Sequence, residues 1–257
     1  MIGDYFCYPG YRRILERALE LGYHTATFSS FSALTSDLVL LLRHDLDHSV
    51  RCALPMARLE ASLGVRSTYF VQVACPFYNL LSAESRAALR ELTELGHEIG
   101  LHYDASRYIG ANPGDLAFDA KLVSELAGQP CVSGSQHVPV AAAPLNTRDV
   151  LANEAYEPRF TATPMVYISD SLLAWRQTRP HDLLDEGASF QFLAHPENWT
   201  SAQPRTSFEK VLESTLEDEV AALQQNTAQT IAFYRDLLSN RAALDRKFVQ
   251  RRGQDRL

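Results

Sequence analysis

Residues 37–42, Asp-Leu-Val-Leu-Leu-Leu, constrain this chain more than any other stretch, because they empty straight into Arg43-His44-Asp45-Leu46-Asp47-His48. A short apolar run of this kind reads as a strand buried on both faces, which calls for helices packed on a mostly parallel sheet. Side chains alternate along a strand, so Asp45 and Asp47 point the same way and face one cavity. Two carboxylates that close repel unless a cation sits between them or one is held protonated. A metal ligand, a general base, or one of each meets that condition. A solvated polar strand end is the bland alternative.

The chain repeats the arrangement. Residues 89–95 carry apolar side chains at helical spacing, Gly96 stops the helix, and a short strand then ends in His102 and Asp104. Ser135-Gln136-His137-Val138-Pro139 and Phe190-Gln191-Phe192-Leu193-Ala194-His195 each set a histidine after a strand-like segment. Several strand ends delivering His or Asp is how a β/α barrel assembles a site.

With 257 residues, 46% of them hydrophobic, the chain can bury one large core, and a single α/β domain over 1–257 is expected. Its net charge of −7, with no Lys/Arg run before the extreme C-terminus, argues against a nucleic-acid partner. Cysteines 7, 52, 75 and 131 form no Cys-x-x-Cys pair, so free thiols in a reducing compartment are expected rather than a zinc knuckle or a disulfide framework. The N-terminus lacks a basic segment followed by an apolar core, and no stretch approaches the roughly 20 apolar residues of a membrane span. A cytoplasmic location follows as an expectation.

Periodicity and stop signals predict helices over 9–21, 49–63, 83–95 and 116–126, and strands over 25–29, 67–73, 131–134, 161–168 and 189–194. Thr206-Ser207-Phe208-Glu209 has capping-box form and opens a helical extension over 206–257. Its stripe of Val211, Leu212, Leu216, Val220, Leu223, Ile231 and Leu237 predicts packing of at least the first half on the domain, and offers a surface for a homodimer.

In chain order stand Arg43-His44-Asp45-Leu46-Asp47, Ser67-Thr68-Tyr69-Phe70, Phe77-Tyr78-Asn79-Leu80, Gly96-His97-Glu98-Ile99-Gly100-Leu101-His102-Tyr103-Asp104, Ser169-Asp170-Ser171 with Trp175, and His195-Pro196-Glu197-Asn198-Trp199. In these motifs the chain resembles the polysaccharide deacetylase (carbohydrate esterase 4, NodB-like) superfamily. Within it, the chain is most similar to the polysaccharide-deacetylase-like proteins of O-antigen and capsule assembly. The resemblance implies a distorted β/α barrel and metal-assisted removal of an acyl group from an amino sugar. Asp45 then matches the catalytic base, Asp47 the aspartate metal ligand, His102 the first histidine of a His-x-x-x-His ligand pair, and His195 the acid that protonates the leaving amine. His97 belongs to the motif with a structural role.

One position departs from the pattern: four residues after His102 stands Ser106, and a hydroxyl is a poor zinc ligand. His137 is the expected replacement, since it follows a later strand and Val138-Pro139 fixes its backbone. Asp104 is the second choice, as ligand or as the partner orienting one, and loss of the metal is the third. Zinc is the expected ion. Trp175 and Trp199 are candidate sugar-stacking faces or core residues, and Asp170 and Ser171 are candidate partners of sugar hydroxyls.

The expected function is a metal-dependent N-deacylase acting on an amino sugar of a surface-polysaccharide precursor, nucleotide-linked, lipid-linked or oligosaccharide. The alternative is an inactive carbohydrate-binding or scaffold protein on the same fold. A phosphatase or nuclease would need a Gly-rich phosphate loop or a basic cleft, and the sequence offers neither.

Overall fold

The computed structural model describes residues 6–33, 38–108, 114–139, 145–175, 178–199 and 207–241. Its elements run α1 (Tyr8–Glu20), β1 (His24–Ala26), β2 (Val39–Leu46), α2 (Ala53–Ser62), β3 (Thr68–Val71), α3 (Ala83–Glu94), β4 (Glu98–Tyr103) and α4 (Gly114–Ala127). There follow β5 (Ser133–Gln136), β6 (Asn153–Glu154), α5 (Pro158–Thr161), β7 (Val166–Ser169), α6 (Pro180–Glu186), β8 (Phe190–Ala194) and α7 (Phe208–Ser239). The chain divides into two compact units, Met1–Val211 and Leu212–Leu257.

In the first unit the strands form one sheet in the order β6-β5-β4-β3-β2-β8-β7, with β1 also paired to β2. All these pairings are parallel. The result is a curled half-barrel with helices, the distorted β/α barrel expected. No pairing joins β6 to β7 among the described residues, so the sheet stays open there.

The alternation along β2 sorts its side chains into layers. Leu40 and Leu42 face outward into a core shared with Ile14 and Leu15 of α1 and Leu183 of α6. Leu41 faces inward, onto a plug of Phe28, Phe70, Phe160 and Met165. Arg43, Asp45 and Asp47 continue that inward face above the plug. Every residue of β2 is buried, which is why the run reads as uniformly apolar until Arg43.

Two glycines set the approach of β4. Gly96 has φ +87°, a left-handed turn residue that ends α3 and starts the strand. Gly100 faces the plug, where an added Cβ would lie 2.5 Å from Phe70 and 2.8 Å from the Ser133 carbonyl oxygen. A side chain there would push β4 off both neighbours and displace His102.

Several boundaries differ from expectation. β1 ends at Ala26 because the hydroxyls of Thr27 and Ser30 bond to each other and to local backbone N–H groups. The strand expected over 161–168 begins only at Val166, after the short α5. The strand expected over 131–134 is shifted to 133–136, since the Cys131 N–H is taken by the Ser124 hydroxyl. All four cysteines are free.

The second unit holds most of α7. The apolar stripe expected along it includes Leu216, Val220, Leu223 and Ile231, all exposed. No helix among the described residues is long and apolar enough to cross a membrane.

Candidate active site

The C-terminal ends of β2, β4, β5 and β8 open on one cavity of about 540 Å³, and Asp45, Asp47, His102, His137 and His195 all line it. Its position follows from strand order: β5, β4, β3, β2 and β8 are consecutive neighbours, so residues far apart in sequence meet above the aromatic plug.

His102 Nε2 lies 3.1 Å from Asp47 Oδ1, and His137 Nε2 lies 3.7 Å from the same oxygen. One ligand atom from each of the three residues falls within 4.8 Å of the others, close enough for one ion to touch all three. The donor set is suitable as well. His102 Nδ1 sits 2.9 Å from the Ser135 carbonyl oxygen, which fixes a proton on that nitrogen and leaves Nε2 free for a metal. An aspartate and two histidines, with an open side toward the cavity, fit a catalytic zinc site.

Asp104 does not join this group. Its Oδ1 accepts hydrogen bonds from the Ser106 backbone N–H (2.9 Å) and hydroxyl (2.7 Å), a surface turn that occupies both residues.

Asp45 is held from below. The Arg43 guanidinium donates from Nε to Oδ1 at 2.9 Å and from Nη2 to Oδ2 at 2.7 Å, a bidentate pair with both partners buried. Arg43 lies 4.4 Å from the Tyr156 ring centroid and also donates to the Tyr156 hydroxyl and to Ser135 Oγ. Burial alone would raise the Asp45 carboxyl; the charge of Arg43, with His102 beyond it, brings it below the usual range.

Burial would raise Asp47 too, but the hydrogen bond and charge of His102, with His195 and His137 behind, hold it well below that range. Asp47 is therefore held as the carboxylate. His102 is pulled up, against its burial, by Asp45 and Asp47, while burial keeps His137 down.

His195 carries its own partner. Asp170 is fully buried, and its carboxyl accepts from His195 Nδ1 at 2.6 Å, from the His195 backbone N–H and from Trp199 Nε1 at 2.8 Å. Burial opposes protonation of His195, but the adjacent Asp170 wins and carries its pKa up to about 10. His195 Nε2 points back to the site, 3.7 Å from Asp47 Oδ2.

Of the residues expected at the sugar, Ser171 lines the cavity, while Asp170, Trp175 and Trp199 do not; Asp104 is not in its lining either. Asp170 lies beneath His195, where sequence proximity to Ser171 gave no hint of it. Trp175 and Trp199 pack with Phe6 and Phe192 in the core. Sequence reading gave no role to Arg43, Tyr156, Glu197 or Asn198. Arg43 carried a signal, a charge on a strand otherwise buried, two residues before Asp45.

No family model matches the sequence, and no curated protein matches it. Solved structures similar to it include the deacetylase PplD of Streptococcus pyogenes in complex with acetate, at TM-score 0.44 and 12% identity, covering 68% of this chain and 84% of that one. A family 4 acetyl xylan esterase of Clostridium thermocellum in complex with a cobalt ion has TM-score 0.38 and 14% identity, over 73% and 84% of the two chains. A pseudoenzyme of the same carbohydrate esterase family from Bacillus anthracis has TM-score 0.38 and 9% identity, over 71% and 60%. Likenesses this distant say nothing of what this site does.

Proposed function

We propose that the chain is a metal-dependent N-deacylase acting on an amino sugar of a surface-polysaccharide precursor of the O-antigen or capsule type. The observation that carries the reading is the convergence of Asp47, His102 and His137 between Asp45 on one side and His195 on the other. Asp47, His102 and His137 would hold a divalent ion, with zinc suited to that donor set. When bound, the ion supplies Lewis acidity toward the amide carbonyl and makes a nearby water more acidic.

The side chains divide the remaining work. Asp45, ionised beside Arg43, receives the proton of the attacking water. His195, held protonated by Asp170, gives its Nε2 proton to the departing amine, so the amine leaves neutral rather than as an anion. Asp170 keeps the His195 ring turned toward the cavity. The apolar plug and Arg43 close the floor beneath Asp45. Four free thiols, two of them buried, suit a cytoplasmic setting.

A second reading rests on a specific observation. Both Asp45 oxygens are engaged by Arg43, and a base so well satisfied is a weak one. A protein that binds the sugar without turning it over would show the same geometry.

Metal analysis of the purified protein, followed by an assay for acetate and formate release from N-acylated amino sugars, separates the two. The proposal expects one ion per chain and acyl release that stops on chelation. Sugar binding with no release from any substrate favours the second reading.

A further inference from the structure

Tyr156 stands just past β6, half-buried in the wall of the cavity. The chain around it is held tightly. Its backbone N–H donates to Glu154 Oε2 at 2.8 Å, and its carbonyl oxygen accepts from Thr161 Oγ1 at 3.3 Å. Gln191, fully buried on β8, donates from Nε2 to the carbonyl oxygens of Ala155 (3.0 Å) and Phe160 (3.1 Å), and its Oε1 accepts from Arg43 Nη1 at 3.3 Å. One side chain thus ties the segment that carries Tyr156 to the arginine that holds Asp45.

That arginine does not need the Tyr156 hydroxyl. Arg43 Nη2 has two hydrogens and three acceptors within reach: Asp45 Oδ2 at 2.7 Å, Ser135 Oγ, and Tyr156 Oη at 3.0 Å. The first two suffice, and Tyr156 Oη is the farthest of the three. A phenylalanine would stack on the guanidinium as well as the tyrosine ring does. Because a guanidinium only donates, the phenolic hydrogen is not spent on Arg43. No acceptor for it occurs among the described residues. A hydroxyl whose oxygen accepts from a cation is also a stronger donor than a free one.

We infer that Tyr156 is a further catalytic residue of the proposed reaction, its hydroxyl donating a hydrogen bond to the acyl carbonyl oxygen as negative charge gathers there. The inference rests on the deacylase reading. Attack of water on the amide carbon turns the carbonyl oxygen into an oxyanion, and a donor already in place holds it more strongly as the charge grows. Tyr156 keeps its own proton throughout: the proton of the water goes to Asp45, and that of His195 goes to the amine. The amide then meets two donors at separate atoms, Tyr156 at its oxygen and His195 at its nitrogen. Arg43, stacked 4.4 Å from the centre of the tyrosine ring, polarises the first of them.

The test is Tyr156→Phe in the zinc-loaded full chain, with acyl release measured on N-acetylated hexosamines and on their N-trifluoroacetyl counterparts. Loss of the donor should lower kcat on the acetyl substrate by about 10²- to 10³-fold with KM little changed. Fluorine itself draws charge from the oxyanion, so the deficit should be much smaller on the trifluoroacetyl substrate. Calorimetry adds a readout that does not depend on turnover. The matching methylphosphonamidate, a tetrahedral mimic of the oxyanion, should bind Tyr156→Phe more weakly by a factor similar to the loss in kcat. A variant that merely disturbed Arg43 and Asp45 would lose the same factor on both substrates, and that result overturns the inference. A raised KM with kcat kept overturns it too, as does unchanged binding of the phosphonamidate. If the wild type releases acyl groups and Tyr156→Phe releases them as fast, the deacylase reading stands and this inference falls. A wild type that releases none removes both.

Discussion

Two clusters of histidine and carboxylate lie on opposite faces of β2, and they are built to opposite ends. On the outer face, Glu60 of α2 is fully buried and meets His44 Nε2 at 2.7 Å, Tyr11 Oη at 2.5 Å, Ser67 Oγ at 2.7 Å and Tyr69 Oη at 2.8 Å. His97 Nδ1 stands 3.7 Å away and bonds to Ser67. Both oxygens of Glu60 are satisfied, and the cluster ties α1, α2, β2, β3 and the entry to β4 together. On the inner face, Asp47 is partly exposed to a cavity and shares its oxygens among three histidines at 3.1–3.7 Å, all but one too long for a good hydrogen bond. The same residue types thus fasten the fold where every acceptor is filled, and leave room for an ion where the geometry is looser. Counting filled acceptors separates the two where residue identity does not.

The largest expected difference comes from removing the carboxylate on each face. Asp47→Ala should lose bound metal and turnover together, with little change in melting temperature. Glu60→Gln should do the opposite, costing about 3–5 kcal/mol because it breaks a buried charged network, while metal stoichiometry stays at the wild-type value. Parallel metal analysis and denaturant melts check both. If Asp47→Ala proves the more destabilising of the two, the division between the two faces fails.

The proposed acid, His195, comes next. His195→Ala should slow acyl release by about 10²- to 10⁴-fold while the metal remains bound, since a general acid acts mainly in the transition state. Asp45→Asn should match it in rate and in metal content. Should Asp45→Asn keep most of its activity, Asp45 is only the anchor of Arg43.

The smaller effect is a pH dependence of the outer cluster. Burial raises the Glu60 carboxyl, but attraction to His44 and His97 and the Tyr11 hydrogen bond bring it down to about 2, from the 4.5 of an ordinary glutamate. A depressed folded-state pKa stabilises above the unfolded value and stops doing so as pH falls through the folded one. Glu60 therefore contributes about 3 kcal/mol near neutrality that fades between about pH 5 and pH 2. The stability gap between wild type and Glu60→Gln should narrow over that window. A gap that stays constant would mean that Glu60 is not held as an anion.

The inner face was more legible in the sequence than the outer one. Leu40, Leu41 and Leu42 announce β2, and the ionisable residues that follow break the apolar pattern abruptly enough to mark a site. His102 stands near the end of β4, and His137 and His195 directly follow β5 and β8, so their convergence needs only the parallel order of the sheet. Glu60 shows just half of its story: it shares a helix face with the buried Ala53, Met56 and Ala57, which marks it as inward, but Tyr11, His44 and Ser67 are long-range partners that no local pattern names. Asp170 was hidden for the same reason, its tie to His195 spanning 25 residues. The two-residue β6 and seven-residue α6 are too short to produce a periodicity, and α5 displaced the start of β7.

The most direct test of the central claim is a crystal of the full chain soaked with zinc and measured at the zinc absorption edge. The account expects one strong anomalous peak in the cavity, about 2.0–2.2 Å from His102 Nε2, His137 Nε2 and an Asp47 oxygen. A peak elsewhere, or none within about 2.5 Å of His102, would contradict it.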